Sequence, residues 1–574
     1  MHHACGVPED GGGGGRRGCA VPLPVAVRRR RGGIARQLRR HRAAGRAGGD
    51  HGGRPPGSGG SRHSRRPRAG RRKQCGDPGA DRPGNGANRP ARPDRHPWLR
   101  GFPPAHAGGA DVRNVLRAAH AAGRHQPRHA AAELARYAAG LEPDAWVITV
   151  FLTAGADGIP DRWDLDAACA DKPVFLLQQA GHMGSVNSRA LEVAGISAST
   201  PDPPGGIIAR GAGGEPTGVL YNHRALDLVR RHMPQYSDED IRAGIPAALS
   251  LFASFGVTTF HDNNIRGTDA MADYQQVARE AKLSLRAALY FTCEYPADVG
   301  KALNSLPQYE DAFCHFAGSK FLIDGQMPTA FCHEPHNGIS WQTTTWDPAA
   351  FKAAVRALHA AGHQISVHCI GDAATDLTLE AYEEAMNAYP RPNPRHRLEH
   401  CIVTKRDSTQ RMKDLGVVVS TQPAFLRVSG DIWRSILGEE RMNRIVMLRE
   451  WMDAGVAVAL SSDAPTIPWY SPQVSMAASL DRKTYSGKTI GPDQALTIHE
   501  ALRAYTLGGA FAAHQEDTRG TLVPGKLADL IVWAADPYRM TPEELQLARV
   551  DYTFVGGRVV NPFAHRPRRR LSHG

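Results

Sequence analysis

Short apolar runs alternate with amphipathic stretches between residues 130 and 515. The apolar runs predict buried strands, and apolar positions at helical spacing predict the helices between them. The predicted strands include Leu283–Phe291, Phe316–Ile323, Gln364–His368, Val417–Thr421 and Val456–Ser461, with others ending near Gln179 and His400. The predicted helices include Ser237–Phe255, Pro348–Ala361, Asp407–Leu415 and Arg441–Ala454. This alternation predicts a parallel α/β sheet, most simply a (β/α)8 barrel.

The remaining segments interrupt or follow this alternation. Pro201–Leu220 is rich in Gly and Pro and predicts an insertion loop, and His261 is expected at the exit of a strand. After a predicted helix at Ile498–Ala513, a hairpin with Gly556-Gly557 at its turn predicts a small β domain. A doubly wound sheet would need a Gly-rich phosphate loop after its first strand, and no convincing one is found.

Four polar side chains end separate predicted strands, namely Lys320, His368, His400 and Asp463. Barrel enzymes place their chemistry at the carboxyl ends of the strands. A single histidine in such a place is more often structural than a ligand. Here, however, a polar side chain recurs at the end of the strand in several strand–helix units. A Lys, two His and an Asp delivered in this way predict a metal site.

Further side chains are expected near this site. His182, beside Gly181 in a loop at a strand exit, is either a substrate contact or an ordinary core or surface histidine. Gln422, in the loop after another strand, is a second candidate for binding substrate. Cys369 and Cys401 directly follow the two ligand histidines, so their side chains should face the helices and belong to the core.

The formal net charge of +13 is unevenly distributed. Residues 1–130 hold 27 Arg and one Lys against seven acidic side chains, a charge of +21, so the remaining 444 residues carry −8. The basic character therefore belongs to the first segment alone. The rest of the chain gives no reason to expect nucleic acid as a partner.

Residues 1–130 do not have the composition of a folded domain. They contain one Glu, one Ile, one Phe and no Tyr, too little to offset the entropy of ordering, so we expect disorder. A basic arm that binds nucleic acid is the functional alternative.

A high content of Arg, Pro, Gly, Ala and His is also what GC-rich DNA encodes when it is translated in the wrong reading frame. When residues 88–106 are back-translated with free codon choice and the reading frame is shifted by one nucleotide, the peptide TVLPGLIDTHG is permitted. A variable residue, VDFH, a second variable residue and HM can follow it.

This hypothesis of an out-of-frame segment gives three expected regions. Residues 1–130 are the basic segment, 131–490 the barrel, and 491–574 the last barrel helix with strands of the small β domain.

The nine Cys show no CxxC pair, which favours a reducing, cytoplasmic location. No apolar run is long enough to cross a membrane, and no secretory signal is expected. The expected partner is a small-molecule substrate, with a homo-oligomer possible.

Several motifs occur in one order and together resemble a known family. SVHCIGDAATD, RLEHCIV, ALSSDAP, LRAYTLGGA, GTLVPGKLADLIV and TFVGGRVV are similar to the amidohydrolase superfamily, in particular its YtcJ-like branch, which includes N-substituted formamide deformylases. The resemblance covers residues 130–562. It implies a distorted TIM barrel with a small β-sandwich built from both chain ends. The family's first strand carries a His-x-His metal pair, which the chain as written lacks and the shifted frame permits.

The resemblance also implies roles for the candidate residues. Lys320 becomes the strand-4 ligand as a carbamate, His368 the strand-5 ligand and His400 the strand-6 ligand. Asp463 becomes the strand-8 acid, which both binds metal and moves the proton. The alternative for Lys320 is an ordinary strand lysine with its ammonium in water, paired with the nearby Asp324. One or two divalent ions, zinc by expectation, would complete the site.

The predicted function is therefore metal-dependent hydrolysis of an amide-like, non-peptide C–N bond in a small molecule. Ester or cyclic amide hydrolysis on the same barrel is one alternative. The other alternative is a protein without enzymatic activity, either a barrel that has lost its metal or a basic protein that binds nucleic acid. Salt-dependent binding to nucleic acid would favour the last of these, and the −8 charge of residues 131–574 argues against it.

Overall fold

Three β-sheets organise the part of the chain that the computed structural model describes, residues 134–151, 159–178, 181–304, 310–336, 344–467 and 471–561. All of these residues belong to one compact unit. The disorder and the shifted frame predicted for residues 1–130 lie outside the described residues. None of the described helices combines the length and apolar character that crossing a membrane requires.

The first sheet has five strands in the order β1-β2-β3-β5-β4. Its strands are β1 Val147–Phe151, β2 Val174–Gln178, β3 Met183–Val186, β4 Ile207–Arg210 and β5 Pro216–Tyr221. Only β1 and β2 are parallel. The accompanying helices are α1 Arg162–Ala168, α2 Ser188–Val193 and α3 Asn222–Arg230.

The insertion loop predicted at Pro201–Leu220 is wrong. That segment contains β4 and most of β5, which pair as antiparallel neighbours, and the Gly211 amide donates to the Glu215 carbonyl at the turn. Most of the Gly and Pro residues belong to the turn and to the segment before β4, while Pro216 and Gly218 lie in β5. The two apolar runs between them are too short for an alternating pattern to indicate a strand.

The second sheet contains seven parallel strands in the order β12-β11-β10-β9-β8-β7-β6. They are β6 Thr259–Ile265, β7 Arg286–Thr292, β8 Cys314–Leu322, β9 Gln364–Cys369, β10 Arg397–His400, β11 Val418–Thr421 and β12 Ala457–Leu460. This curled parallel sheet with its helices confirms the predicted α/β barrel class. His261 lies inside β6 rather than at its exit, because pairing with β7 extends the strand to Ile265.

The outer edges of β6 and β12 pair with no further strand among the described residues. Because the strand expected to carry His-x-His is missing from residues 1–130, the sequence also predicts a gap or a substitute beside Val174–Gln178, and the described residues leave no gap there. Val174–Gln178 lies in the five-stranded sheet and pairs along its length with Val147–Phe151. The open edges are those of β6 and β12, where a barrel would need one more strand.

Helices connect these parallel strands and pack against their outer face. They are α4 Asp238–Ser254, α5 Thr268–Arg279, α6 Pro296–Asn304, α7 Pro348–Ala360, α8 Asp372–Ala388, α9 Ser408–Asp414, α10 Ala424–Leu437, α11 Glu439–Met442, α12 Leu448–Ala454 and α13 Pro472–Asp481. Local sequence fixes several of their starts. Ser237 and Asp240 form a capping box before α4, and Asp347 caps α7 just before Pro348.

The single helix predicted at Arg441–Ala454 is also wrong, since α11 ends at Met442 and α12 begins at Leu448. Between them Val446 has φ 50° and its amide donates to the Ile402 carbonyl. Ile445 forms an antiparallel bridge with Val403. These distant contacts hold the backbone of the connecting segment out of the helical conformation.

The main core lies between the outer face of the seven-stranded sheet and its helices. Leu289, Phe291, Val367 and Val419 are fully buried there. Cys369 and Cys401 belong to the same core, as predicted from strand parity. The Sγ atom of Cys369 lies 3.3 Å from the hydroxyl of Thr378 in α8, which confirms that this side chain faces the helices.

The last part of the chain forms a third, antiparallel sheet of β13, β14 and β15. The elements are α14 Ile498–Arg503, a π-helical turn Ala504–Gly508, α15 Gly509–Ala512, β13 Leu530–Trp533, α16 Pro542–Leu545, β14 Val550–Val555 and β15 Arg558–Val559. The hairpin predicted at Gly556-Gly557 is confirmed. A buried bidentate ion pair joins Arg286 of β7 to Asp529, at 2.7 and 3.1 Å, and so ties the third sheet to the barrel strands.

Candidate active site

The inner face of the seven-stranded sheet lines a cavity of about 1110 Å³. Side chains alternate between the two faces of a strand, so the residues that alternate with the apolar core point into this cavity. All of the residues that the sequence assigned to the site line it, namely His182, Lys320, His368, His400, Gln422 and Asp463. The structure therefore brings the whole predicted set together.

Two of these residues reach the cavity through an unusual backbone conformation. Arg397 and Glu399 line the cavity from β10, so strand parity alone would turn His400 towards the helices with Leu398. His400 instead has φ 75° and lines the cavity. Asp463 has φ 49° just after β12, and its Oδ2 accepts from the Thr466 hydroxyl at 3.0 Å. Left-handed conformations in non-glycine residues cluster at functional sites.

His368 and His400 are adjacent, with ring centroids 4.5 Å apart. Burial lowers the pKa of both imidazoles, and the charge of Lys320 lowers them further. The Nε2 atom of His368 is buried without a hydrogen-bond partner among the described residues. His400 uses Nδ1 to donate to Oε1 of Gln422 at 2.7 Å, which leaves the lone pair of its Nε2 available.

Lys320 is not a surface lysine. Its side chain lies in the cavity at 5% exposure, and burial lowers its pKa, while Glu399 and Asp463 raise it. Asp324 accepts instead from the amides of Ile370 and Gly371, at 3.1 and 2.9 Å. The alternative of an ammonium group in water is therefore wrong.

Asp324 contributes a second feature next to the histidine pair. Burial raises the pKa of its carboxyl to about 7, even though backbone amides donate to it. Its Oδ1 lies 3.6 Å from Nε2 of His368. The sequence predicted Asp324 only as a partner for Lys320, whereas the structure places it beside His368.

A buried polar network beneath the site was missed from the sequence. Burial alone would raise the pKa of Glu399, but Arg397 and Lys320 lower it to about 2. Arg397 Nε donates to Glu399 at 2.7 Å, and the Ser366 hydroxyl donates to the same oxygen at 2.8 Å. Arg397 also lies 2.9 Å from the Tyr290 hydroxyl. The sequence did contain a signal for this network, because Arg397 and Glu399 occupy alternate positions of one strand and so face the same side of the sheet.

A second group of histidines forms the wall beside His368. His182 follows Gly181 in the turn between β2 and β3, with its ring 4.7 Å from that of His368. The ring of His223, at the start of α3, lies 4.9 Å from that of His182. Burial, with help from His400, lowers the pKa of His182 to about 3. His223 was not singled out from the sequence.

The nitrogen donors suit a divalent metal ion. His368 and His400 are buried and neutral, and His368 Nε2 lacks a partner among the described residues. No group of three or more His, Cys, Asp or Glu in the described ranges could hold an ion by itself. A complete set of ligands therefore needs Lys320, or residues outside those ranges.

Comparison with known proteins agrees with this arrangement. The model of the amidohydrolase family matches residues 105–561, beginning inside the segment that composition set apart as 1–130. The chain belongs to the amidohydrolase family. It is therefore an enzyme of the class that hydrolyses carbon–nitrogen bonds other than peptide bonds, as the sequence predicted.

Individual relatives cover most of the chain. The putative amidohydrolase YtcJ of Bacillus subtilis is 30% identical over 415 residues, which is 70% of this chain and 76% of that protein. The N-substituted formamide deformylase of Arthrobacter pascens is 29% identical over 444 residues, 74% of this chain and 80% of that protein. These relatives confirm the predicted branch of the family.

A solved structure shows the same fold. An uncharacterized metal-dependent hydrolase from Pyrococcus horikoshii OT3 aligns with a TM-score of 0.57 and 25% sequence identity, over 73% of this chain and 82% of that one. This amidohydrolase is thus similar to a metal-dependent hydrolase in sequence and in architecture.

Proposed function

We propose that this amidohydrolase uses a divalent metal and a water molecule to cleave an amide-like, non-peptide C–N bond of a small molecule. The observation that carries the proposal is the convergence of Lys320, His368, His400 and Asp463 on one cavity from four strands of a parallel sheet. The name of the formamide deformylase relative supports N-substituted formamides as the first substrates to examine.

His368 and His400 would hold the metal through neutral imidazole nitrogens, and Lys320 would add oxygen ligands as a carbamate. Zinc suits such donors, and one or two ions are expected. A bound divalent ion polarises a carbonyl and brings the pKa of water towards neutrality. Carbamylation explains a lysine in this place, since an ammonium group would repel a cation, whereas a carbamate supplies anionic oxygen ligands.

Asp463 would transfer the proton. Its carboxylate accepts a proton from the attacking water and donates it to the leaving nitrogen, so that one group acts first as base and then as acid. His182 would contact the substrate from the adjoining wall. Gln422 would act on His400, since both atoms of its amide are engaged, Oε1 by His400 and Nε2 by the Ser461 hydroxyl at 2.7 Å.

A cytoplasmic location belongs to the same proposal. All six cysteines in the described ranges are free and buried, which suits a reducing compartment. A small-molecule substrate suits this concave cavity, which polar and apolar residues line together.

The test uses metal-loaded, frame-corrected protein, in which the reading frame is shifted by one nucleotide up to about codon 130. Amine release from N-benzylformamide is compared with hydrolysis of benzyl formate and a cyclic amide. We expect equimolar benzylamine and formate, loss of activity with a chelator, and recovery with zinc. Hydrolysis of the ester or the cyclic amide alone would assign a different reaction to the same barrel. Hydrolysis that a chelator leaves unchanged would contradict a metal mechanism.

A further inference from the structure

His223 lines the cavity and carries a ring N–H group that has no acceptor among the described residues. It is the second residue of α3, directly after Asn222, whose φ of 64° turns the chain from β5 into the helix. The Nδ1 atom of His223 lies 3.1 Å from Nη2 of Arg266 and 3.5 Å from Nη1 of Arg230. Guanidinium groups only donate, so Nδ1 accepts and the ring proton lies on Nε2.

That Nε2–H group has no acceptor in the described part of the chain, although the atom is buried. A buried donor without an acceptor is costly, and folded proteins keep few of them. His223 lines the cavity together with His182, and the His182 ring lies between those of His223 and His368. The unsatisfied donor therefore belongs to the wall beside the candidate metal ligands.

A chain of polar groups fixes the orientation of His223. Arg266 forms an ion pair with Glu294 at 3.0 Å, and its Nε donates to Oδ1 of Asn264 at 3.3 Å. Burial, followed by the charge of Arg266, holds the pKa of His223 well below its usual range. The imidazole is thus neutral and held in one tautomer by Arg266 and Glu294, neither of which lines the cavity.

We propose that His223 donates a hydrogen bond from Nε2 to the carbonyl oxygen of the substrate, with Arg266 and Glu294 as positioning residues. This rests on the proposed hydrolytic function. When the water oxygen bonds to the carbonyl carbon, the C=O π pair moves to the oxygen, which becomes anionic. His223 keeps its proton throughout, and its hydrogen bond strengthens as that charge develops.

The first test compares His223→Leu with His223→Gln in the metal-loaded, frame-corrected chain, using N-benzylformamide. Leu keeps much of the volume without a donor, whereas Gln offers an N–H in its place. We expect kcat to fall about 100-fold or more in the Leu variant, with KM little changed, and the Gln variant to recover most of it. His232→Leu, an exposed histidine just after the same helix, is the matched control and should equal wild type.

A second measurement does not depend on turnover. The ¹⁵N spectrum of the metal-free, histidine-labelled, frame-corrected chain should show His223 as the Nε2–H tautomer, with its signals assigned by their loss in His223→Gln. Saturating N-benzylformamide should shift the Nε2 signal, and N-benzylmethylamine, which lacks the carbonyl, should not. Arg266→Met should release the tautomer.

Three results would overturn the inference: a Leu variant with wild-type kcat, the opposite tautomer, or a His223 signal that the formamide does not move. If wild type hydrolyses the amide and the Leu variant does so equally well, the inference alone fails. If metal-loaded, frame-corrected wild type hydrolyses no amide, the proposed function fails, and the spectrum still decides whether His223 binds a carbonyl.

Discussion

His400 donates from Nδ1 to Oε1 of Gln422 at 2.7 Å, and this bond decides which imidazole nitrogen faces the cavity as a lone pair. The amide oxygen can only accept, so the proton stays on Nδ1 and Nε2 is available as a ligand. Gln422 is itself held by Ser461. Outer contacts of this kind orient metal-binding histidines and tune their basicity.

Gln422→Leu should therefore weaken metal binding by about 10- to 100-fold, because His400 loses the acceptor that fixes its tautomer. Competition with a coloured chelator measures the change. Gln422→Glu keeps an acceptor in the same place and is expected to retain most of the affinity. A higher KM with unchanged metal affinity would instead assign Gln422 to substrate binding.

Asp463→Asn should lower kcat by about 10²- to 10⁴-fold, since the amide cannot carry the proton. Asn tolerates the φ of 49° and keeps an oxygen for the Thr466 hydroxyl, so the thermal midpoint should change little. Asp453→Asn, on the exposed side of α12, is the control. Near-wild-type turnover in the Asp463 variant would remove this residue from the mechanism.

Lys320→Ala should lose at least one of the one to two divalent ions expected per chain in frame-corrected protein. The carbamate would no longer supply oxygen ligands, and elemental analysis measures the loss. Lys352→Ala, a lysine on α7 that pairs with Glu380 and Glu384, should keep its full metal content. Equal metal content in both variants would make Lys320 a structural residue.

A buried histidine pair predicts acid sensitivity. The Ile365 amide donates to Nδ1 of His396 at 3.0 Å, so the proton of His396 lies on Nε2, which is 2.8 Å from Nδ1 of His359. His359 Nε2 in turn donates to the Tyr389 carbonyl. Burial lowers the pKa of both imidazoles. The unfolded chain therefore binds more protons below a pH of about 6.5, and stability should fall as the pH drops below that value.

Urea unfolding at pH 7.5 and pH 5.5 measures this loss. His396→Asn keeps an acceptor for the Ile365 amide but cannot bind the proton, so its stability should depend less on pH between these values. His499→Asn, an exposed histidine, serves as the control. An unchanged pH dependence in the His396 variant would contradict the explanation.

The chain expressed as written is expected to fold poorly and to be inactive. A closed barrel gives every strand two neighbours, whereas the outer edges of β6 and β12 have none among the described residues. Unpaired edges promote aggregation. The test is parallel expression of this chain and of one shifted by a nucleotide up to codon 130. Equal solubility, metal content and amide hydrolysis would disprove the frame hypothesis.

Local sequence determined the rhythm of the barrel and much of its chemistry. Apolar runs separated by helical periods were enough to predict the parallel sheet, because burial on both faces leaves that pattern in each strand. Alternation along the strands predicts that Lys320 and His368 face the cavity, because the other face of their strands is core. The same alternation places Cys369 against the helices. These features depend on neighbours a few residues away.

Tertiary contacts decided the rest. The break before α12 depends on a hydrogen bond from Val446 to Ile402, and the orientation of His400 on a φ of 75° that no periodicity indicates. His223 carries its proton on Nε2 because Arg266, 43 positions along the chain, lies against its Nδ1. A hydrogen bond between distant segments fixes tautomer and backbone angle, and local patterns of apolar and polar residues carry no record of it.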